Sequence, residues 1–117
     1  MAIRIIKYPI SRAELLRERK ERWSQLSLCE QLGNIGSEVH RTALAEGKNA
    51  ERFVRARDRA LELFDLTLAD KRWHGRLREL GRAREVFCDG AEGGTLYGTT
   101  LAGLQGYFDR FALAKRV

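Results

Sequence analysis

The chain is poor in the residues that usually carry metal or thiol chemistry. Its 117 residues include two cysteines, two histidines, one methionine and one proline. Cys29 and Cys88 each fall in an apolar helical context with no histidine beside them. That excludes a zinc site and a disulfide framework, and assigns both thiols to core filling. His40 has Glu38 two positions away, which faces elsewhere on a helix. His74 has only Asp70 at a four-residue spacing, whereas a metal site needs three or four ligands. Long apolar runs are missing too, and nothing approaches the roughly 18 residues a membrane-spanning helix requires. The opening MAIRIIKYPIS carries charge but has no long apolar core and no small-residue cleavage site. It does not read as a secretion signal, and a cytoplasmic location is expected.

Catalytic signatures are equally scarce. GAEGG at 90–94 lacks the Lys-Ser/Thr pair of a phosphate loop and follows a helical stretch, so it reads as a turn. No serine stands in a nucleophile elbow. Four-helix carboxylate proteins hold metals with Glu-x-x-His motifs, but here Glu38 is followed at the third position by Arg41, and Glu62 by Asp65. No catalytic residue, cofactor or metal is therefore expected, and the chain is read as a non-enzyme.

With Pro9 as the only proline, nothing after it is barred from helix. SRAE at 11–14 has the form of a capping box. Leu28, Leu32, Ile35, Val39 and Thr42 then recur at helical spacing, which predicts one long helix within 12–46 that stops at Gly47. A second helix is expected over 49–69, with Phe53, Ala60, Phe64 and Thr67 on one side. Asp70 caps a third over 71–89, which turns Trp73, Leu77, Leu80, Ala83 or Arg84, and Phe87 inward. A glycine-rich break precedes a last helix over 99–115, with Leu101, Leu104, Phe108 and Phe111 on one face. The expected architecture is all-α: a four-helix bundle over 11–117 as a single domain, with residues 1–10 as an extended N-terminal arm.

Two glycine pairs interrupt these helices. Gly33 and Gly36 are three apart, as are Gly103 and Gly106, so each pair shares one helix face. Each glycine costs a helix interior about 1 kcal/mol relative to alanine. Close helix packing is the expected compensation, because two backbones can approach where side chains are absent.

What the chain has in quantity is arginine, seventeen against five lysines, within a net charge of +6. Residues 71–91 hold six basic groups against three acids. On the second helix Arg52, Arg55 and Arg59 form a line with Glu62. On the third, Lys71, His74, Arg78 and Arg82 do the same, with Arg72 and Arg76 beside them. On the first, Gln31, Asn34, Glu38 and Arg41 are as regularly spaced as the apolar face. Such stripes are solvated faces or polyanion-binding surfaces. The arginine fork suits phosphate, so RNA or DNA is one expected partner and Arg52, Arg55, Arg59, Lys71, Arg72, Arg76, Arg78 and Arg82 are the candidate contacts. The alternative is a structural or protein-interaction homo-oligomer, whose basic residues confer only solubility. The wide apolar stripe of the second helix points to self-association in either case.

Residues 43–63, ALAEGKNAERFVRARDRALEL, resemble the helix–turn–helix centre of a four-helix-bundle family. That family includes the 23S rRNA intervening-sequence proteins and the accessory variability protein of diversity-generating retroelements. The matching positions are Ala45, Glu46 and Gly47 at the turn, then Glu51 and Phe53, then Ala60, Leu61, Glu62 and Leu63. Family members often carry a proline before the turn and an asparagine ahead of the Ala-Glu-Gly, where this chain has no proline and Leu44 precedes Ala45. The resemblance lies within the middle third of the chain. It implies a helical bundle that often assembles as a ring, commonly a pentamer. In the retroelement branch it implies a basic ring that binds nucleic acid and a reverse transcriptase.

Overall fold

The computed structural model describes residues 11–114, with side chains from 11 to 108. The expected N-terminal arm and the Phe111 side chain lie outside the described residues. The described chain is helical, with five α-helices: α1 (Arg12–Ser24), α2 (Leu28–Ala45), α3 (Ala50–Leu68), α4 (Leu77–Ala91) and α5 (Leu101–Ala114). A 3-10 segment, Lys71–Arg76, leads into α4.

The expected single helix over 12–46 is two helices, and the count of four becomes five. Gln25 and Leu26 donate their N–H groups to Arg22 and Trp23 in a tightened last turn of α1. Ser27 then starts α2 with a complete capping box: its hydroxyl accepts from the Glu30 N–H, while the Glu30 carboxylate accepts from the Ser27 N–H. Two orphan donors are satisfied at once, which makes the restart cheap. The other starts follow their caps. Ser11 accepts from Glu14, Asn49 from Arg52, Asp70 from Arg72 and Thr100 from Gly103. Gly47, at φ +72°, turns the chain from α2 into α3, a conformation that L side chains rarely adopt.

Burial explains how the elements pack. Along α2, Leu32, Ile35, Val39 and Thr42 are fully buried, as the spacing predicts, and Leu28 is half-buried. This helix lies along both α3 and α5, while α4 leans on α3 and α5, and α1 touches α3. At the centre Phe64 of α3 meets Phe87 of α4 and Phe108 of α5, with ring centroids 5.8 and 5.9 Å apart. Each buried phenylalanine contributes about 1.5–3 kcal/mol of transfer free energy. On α4 the inward position is Ala83, because Arg84 instead pairs with Asp65 at 2.8 Å. Leu77, expected inward, is the first residue of α4 and is exposed, whereas Leu80, Ala83 and Phe87 further along the same helix are buried.

One further expectation is corrected at the α1–α2 corner. Gln31 belongs to the core, not to the polar face of α2. Its Nε2 donates to the Trp23 carbonyl at 2.8 Å and to Asp70 Oδ2 at 3.2 Å, and its Oε1 accepts from the Trp73 indole at 2.9 Å. The Trp23 indole donates to Thr67 Oγ1 at 2.9 Å. The carbonyls freed where α1 ends are thus met by Gln31 and by Arg72, whose Nη2 donates to the Leu26 carbonyl at 2.8 Å.

The glycines divide. A Cβ on Gly36 would sit 2.7 Å from the Cβ of Phe108, so α2 and α5 approach closely there. Gly33 and Gly106 have nothing within 4 Å, and Gly103 meets only the neighbouring Thr99 and Thr100. Packing within the chain therefore accounts for Gly36 and leaves the other three unexplained. Gly90, expected in a turn, is a second close-approach position. It lies in α4, where a Cβ would come within 3.3 Å of Leu101.

Candidate nucleic-acid interface

The reversal at Gly47 brings the C-terminal half of α2 alongside the N-terminal half of α3. Between them runs an open groove of about 700 Å³. Leu44, Ala45 and Ala56 contribute its apolar part. Arg41, Lys48, Arg52, Arg55 and Arg59 border it, against one carboxylate, Glu38. The structure brings together three of the expected contacts, Arg52, Arg55 and Arg59. It adds Arg41 and Lys48, which come from different elements and share no stripe with α3.

Three of these four arginines are paired with a carboxylate. Arg41 pairs with Glu38, Arg55 with Glu51, and Arg59 with Glu62 at 3.1 Å. The Arg55–Glu51 pair is exposed on both sides and is worth roughly 0.2–1 kcal/mol, so a phosphate can displace it at small cost. Lys48 and Arg52 have no ion-pair partner among the described residues. Asn49, also at the groove, is committed to capping α3.

The remaining expected contacts lie elsewhere, and none borders this groove. Arg72 is exposed, but its guanidinium is committed to contacts within the fold. It grips Asp70 at 2.7 Å, donates to the Leu26 carbonyl, and sits 4.4 Å over the Trp73 ring. The guanidinium is the main reason the Asp70 carboxyl is held down to about 2 from its ordinary 3.8, helped by the Arg72 N–H and by Gln31 and opposed by burial. Arg76 reaches Glu79 at 3.9 Å, and Arg82 covers the Tyr97 ring at 4.8 Å. Lys71 and Arg78 are exposed with no ion-pair partner among the described residues. The expected surface thus divides into the α2–α3 groove and a separate, partly committed face over 71–82.

The glycine-rich connection between α4 and α5 is organised by a carboxylate that the sequence did not single out. Asp89 is 6% exposed, and its two oxygens accept from the Leu96 and Tyr97 N–H groups, each at 2.9 Å. Hydrogen bonding to Glu85 raises the Tyr97 phenol above its ordinary value. Cys29 and Cys88 are free and only half-buried. His40 and His74 are both exposed. Among the described residues no group of three or more His, Cys, Asp or Glu could hold a metal ion, and no helix is long and apolar enough to cross a membrane.

The arrangement can hold a run of anions along α3, with direct cation contacts on both sides of an apolar bed. No family model, no curated protein and no solved structure matches this chain.

Proposed function

We propose that this chain is a non-enzymatic nucleic-acid-binding protein whose α2–α3 groove takes the phosphodiester backbone. The observation that carries this reading is the gathering of Arg41, Lys48, Arg52, Arg55 and Arg59 from two helices and a turn around one groove with a single carboxylate. Phosphate contacts of this type supply affinity through counterion release and carry no sequence information. The absence of an aromatic side chain from the groove lining agrees with that, because base stacking needs one. The resemblance of residues 43–63 to the intervening-sequence and retroelement accessory proteins points the same way. It also favours an oligomeric accessory factor to a reverse transcriptase or another nucleic-acid enzyme.

The test is a titration of labelled single-stranded and duplex nucleic acid across salt concentrations. Wild type should bind with a steep negative log–log slope, and Lys48→Glu with Arg52→Glu should weaken binding at every sequence tried. Both residues are exposed, so circular dichroism should be unchanged. Equal binding by wild type and the double variant would falsify the groove as the site.

One observation favours a second reading. Leu44 in the groove is 56% exposed, and phosphate gives it nothing to pack against. An acidic amphipathic helix from a partner would cover Leu44 and satisfy the arginines together, whereas a second copy of this chain would cover Leu44 alone. Light scattering on a sizing column, with and without Leu44→Gln, separates a self-associating groove from one that binds nucleic acid alone.

A further inference from the structure

Arg59 borders two hollows. One is the α2–α3 groove. The other, an open hollow of about 480 Å³, lies between α1 and α3 and is lined by Arg19, Arg22, Trp23, Leu26, Glu62 and others. Glu62 stands between the two basic sets. Its Oε1 accepts from Arg19 at 2.9 Å, and its Oε2 accepts from Arg59 at 3.1 Å. Arg22 completes the rim with no ion-pair partner among the described residues. The α3 residues that line the two hollows run from Arg52 to Leu66. That is roughly 21 Å of helix axis at 1.5 Å per residue, or about six base steps at 3.4 Å each.

We infer that the phosphodiester track does not stop at Arg59 but continues onto α1, where Arg19 and Arg22 take the next phosphates of the same strand. Glu62 occupies the phosphate position between Arg19 and Arg59 while no nucleic acid is bound. The inference rests on the proposed function of the groove. Three observations carry it beyond that function. The two hollows share a residue, so one strand can pass from one to the other without leaving basic surface. The carboxylate geometry, one oxygen to each guanidinium, is the geometry that two oxygens of a phosphate would take. The Trp23 ring is 8% exposed and its indole N–H is committed to Thr67, so this hollow also offers the backbone a path but no stacking platform.

The stand-in has an energetic consequence. When Arg19 and Arg59 turn to phosphate, Glu62 is left as a half-buried carboxylate without its cations. It must then recruit a counterion, which opposes binding and lowers the net counterion release. Removing its charge should therefore strengthen the complex, although two salt bridges are lost from the free protein.

The experiment compares wild type, Arg22→Ala, Arg19→Ala and Glu62→Gln in the same salt titration, with a single strand and a duplex as separate arms. Arg22→Ala and Arg19→Ala should each flatten the slope by about 0.7 for a single strand or about 0.9 for a duplex. Glu62→Gln should bind more tightly, with a slope steeper by up to about those same values. Unchanged slopes in Arg22→Ala, in a protein whose binding still falls with Lys48→Glu and Arg52→Glu, overturn the continuation onto α1. Weaker or unchanged binding by Glu62→Gln at native helix content overturns the stand-in role. No binding by wild type is a different result, since it removes the groove function on which both rest. Arg22 is exposed and has no ion-pair partner among the described residues, so its variant stays informative even if Glu62→Gln loosens α1.

Discussion

Gly36 of α2 and Phe108 of α5 meet where a methyl group has no room: a Cβ on the glycine would lie 2.7 Å from the phenylalanine Cβ. The clash is with the base of a buried side chain, so relief requires α2 and α5 to separate. Gly36→Ala should destabilise the fold by about 1–3 kcal/mol, despite alanine's better helix propensity. Gly33, one turn away in the same helix with open space beside it, should respond in the opposite direction. Gly33→Ala should gain up to about 1 kcal/mol. Urea midpoints of the two variants test the pair. A Gly36→Ala protein as stable as Gly33→Ala would mean the helices do not approach as described.

Asp70 gives the stability a defined acid limb. Its folded value of about 2 lies below the ordinary 3.8, chiefly through Arg72, so its contribution is complete above about pH 4 and is lost as pH falls through 2. The full conversion is about 2.5 kcal/mol. Discounted for the solvent-facing guanidinium, it is on the order of 1 kcal/mol. Asp70→Asn should therefore be less stable than wild type at neutral pH, and the gap should narrow between pH 4 and 2. A constant gap across that range would remove Asp70 from the acid transition.

The Asp89 carboxylate should be the main restraint on the loop before α5. Without it two backbone N–H groups, at Leu96 and Tyr97, lose their acceptors. Asp89→Ala should cost about 2–4 kcal/mol and should expose the Leu96–Tyr97 stretch to limited proteolysis. Cleavage at an unchanged rate would show that the loop is held by other contacts.

Arg72 and Arg52 should give opposite outcomes when each is replaced by alanine. Arg72→Ala should lower the melting temperature, because the Leu26 carbonyl loses its side-chain donor and Asp70 loses the guanidinium. Arg52→Ala should leave the melting temperature in place and weaken nucleic-acid binding. A binding defect in Arg72→Ala at unchanged stability would return that residue to the interface.

The helices that the sequence predicted best were those whose caps and stripe agree. α3 was legible from Asn49, from the phenylalanines Phe53 and Phe64, and from the stop before Asp70, all close neighbours in sequence. The break between α1 and α2 was missed because Gln25, Leu26 and Ser27 contain no glycine or proline. SLCE at 27–30 nevertheless has the same capping-box form as the SRAE that marked the start of α1. Gln31 was misplaced because its partners, Trp23, Asp70 and Trp73, lie up to 42 residues away, and periodicity reports only neighbours on the same helix. The groove was half legible for the same reason. Arg52, Arg55 and Arg59 share one helix, whereas Arg41 and Lys48 join them only after the chain reverses at Gly47.

The corner where α1 meets α2 has an optical consequence. Both tryptophans of the chain, Trp23 and Trp73, hydrogen-bond into it, one through Thr67 and the other through Gln31. Intrinsic fluorescence is therefore a local probe: it monitors the hydration of this one corner and is nearly blind to the α4–α5 loop. If α1 undocks before the remaining helices melt, emission will shift to the red at a temperature where helical ellipticity is still intact. Two superimposable curves would instead mark the corner as part of a single cooperative unit. Quenching of the same emission on adding a strand would come from Trp23 at the α1 end of the track or from Trp73 beside Arg72, and not from the groove at Lys48.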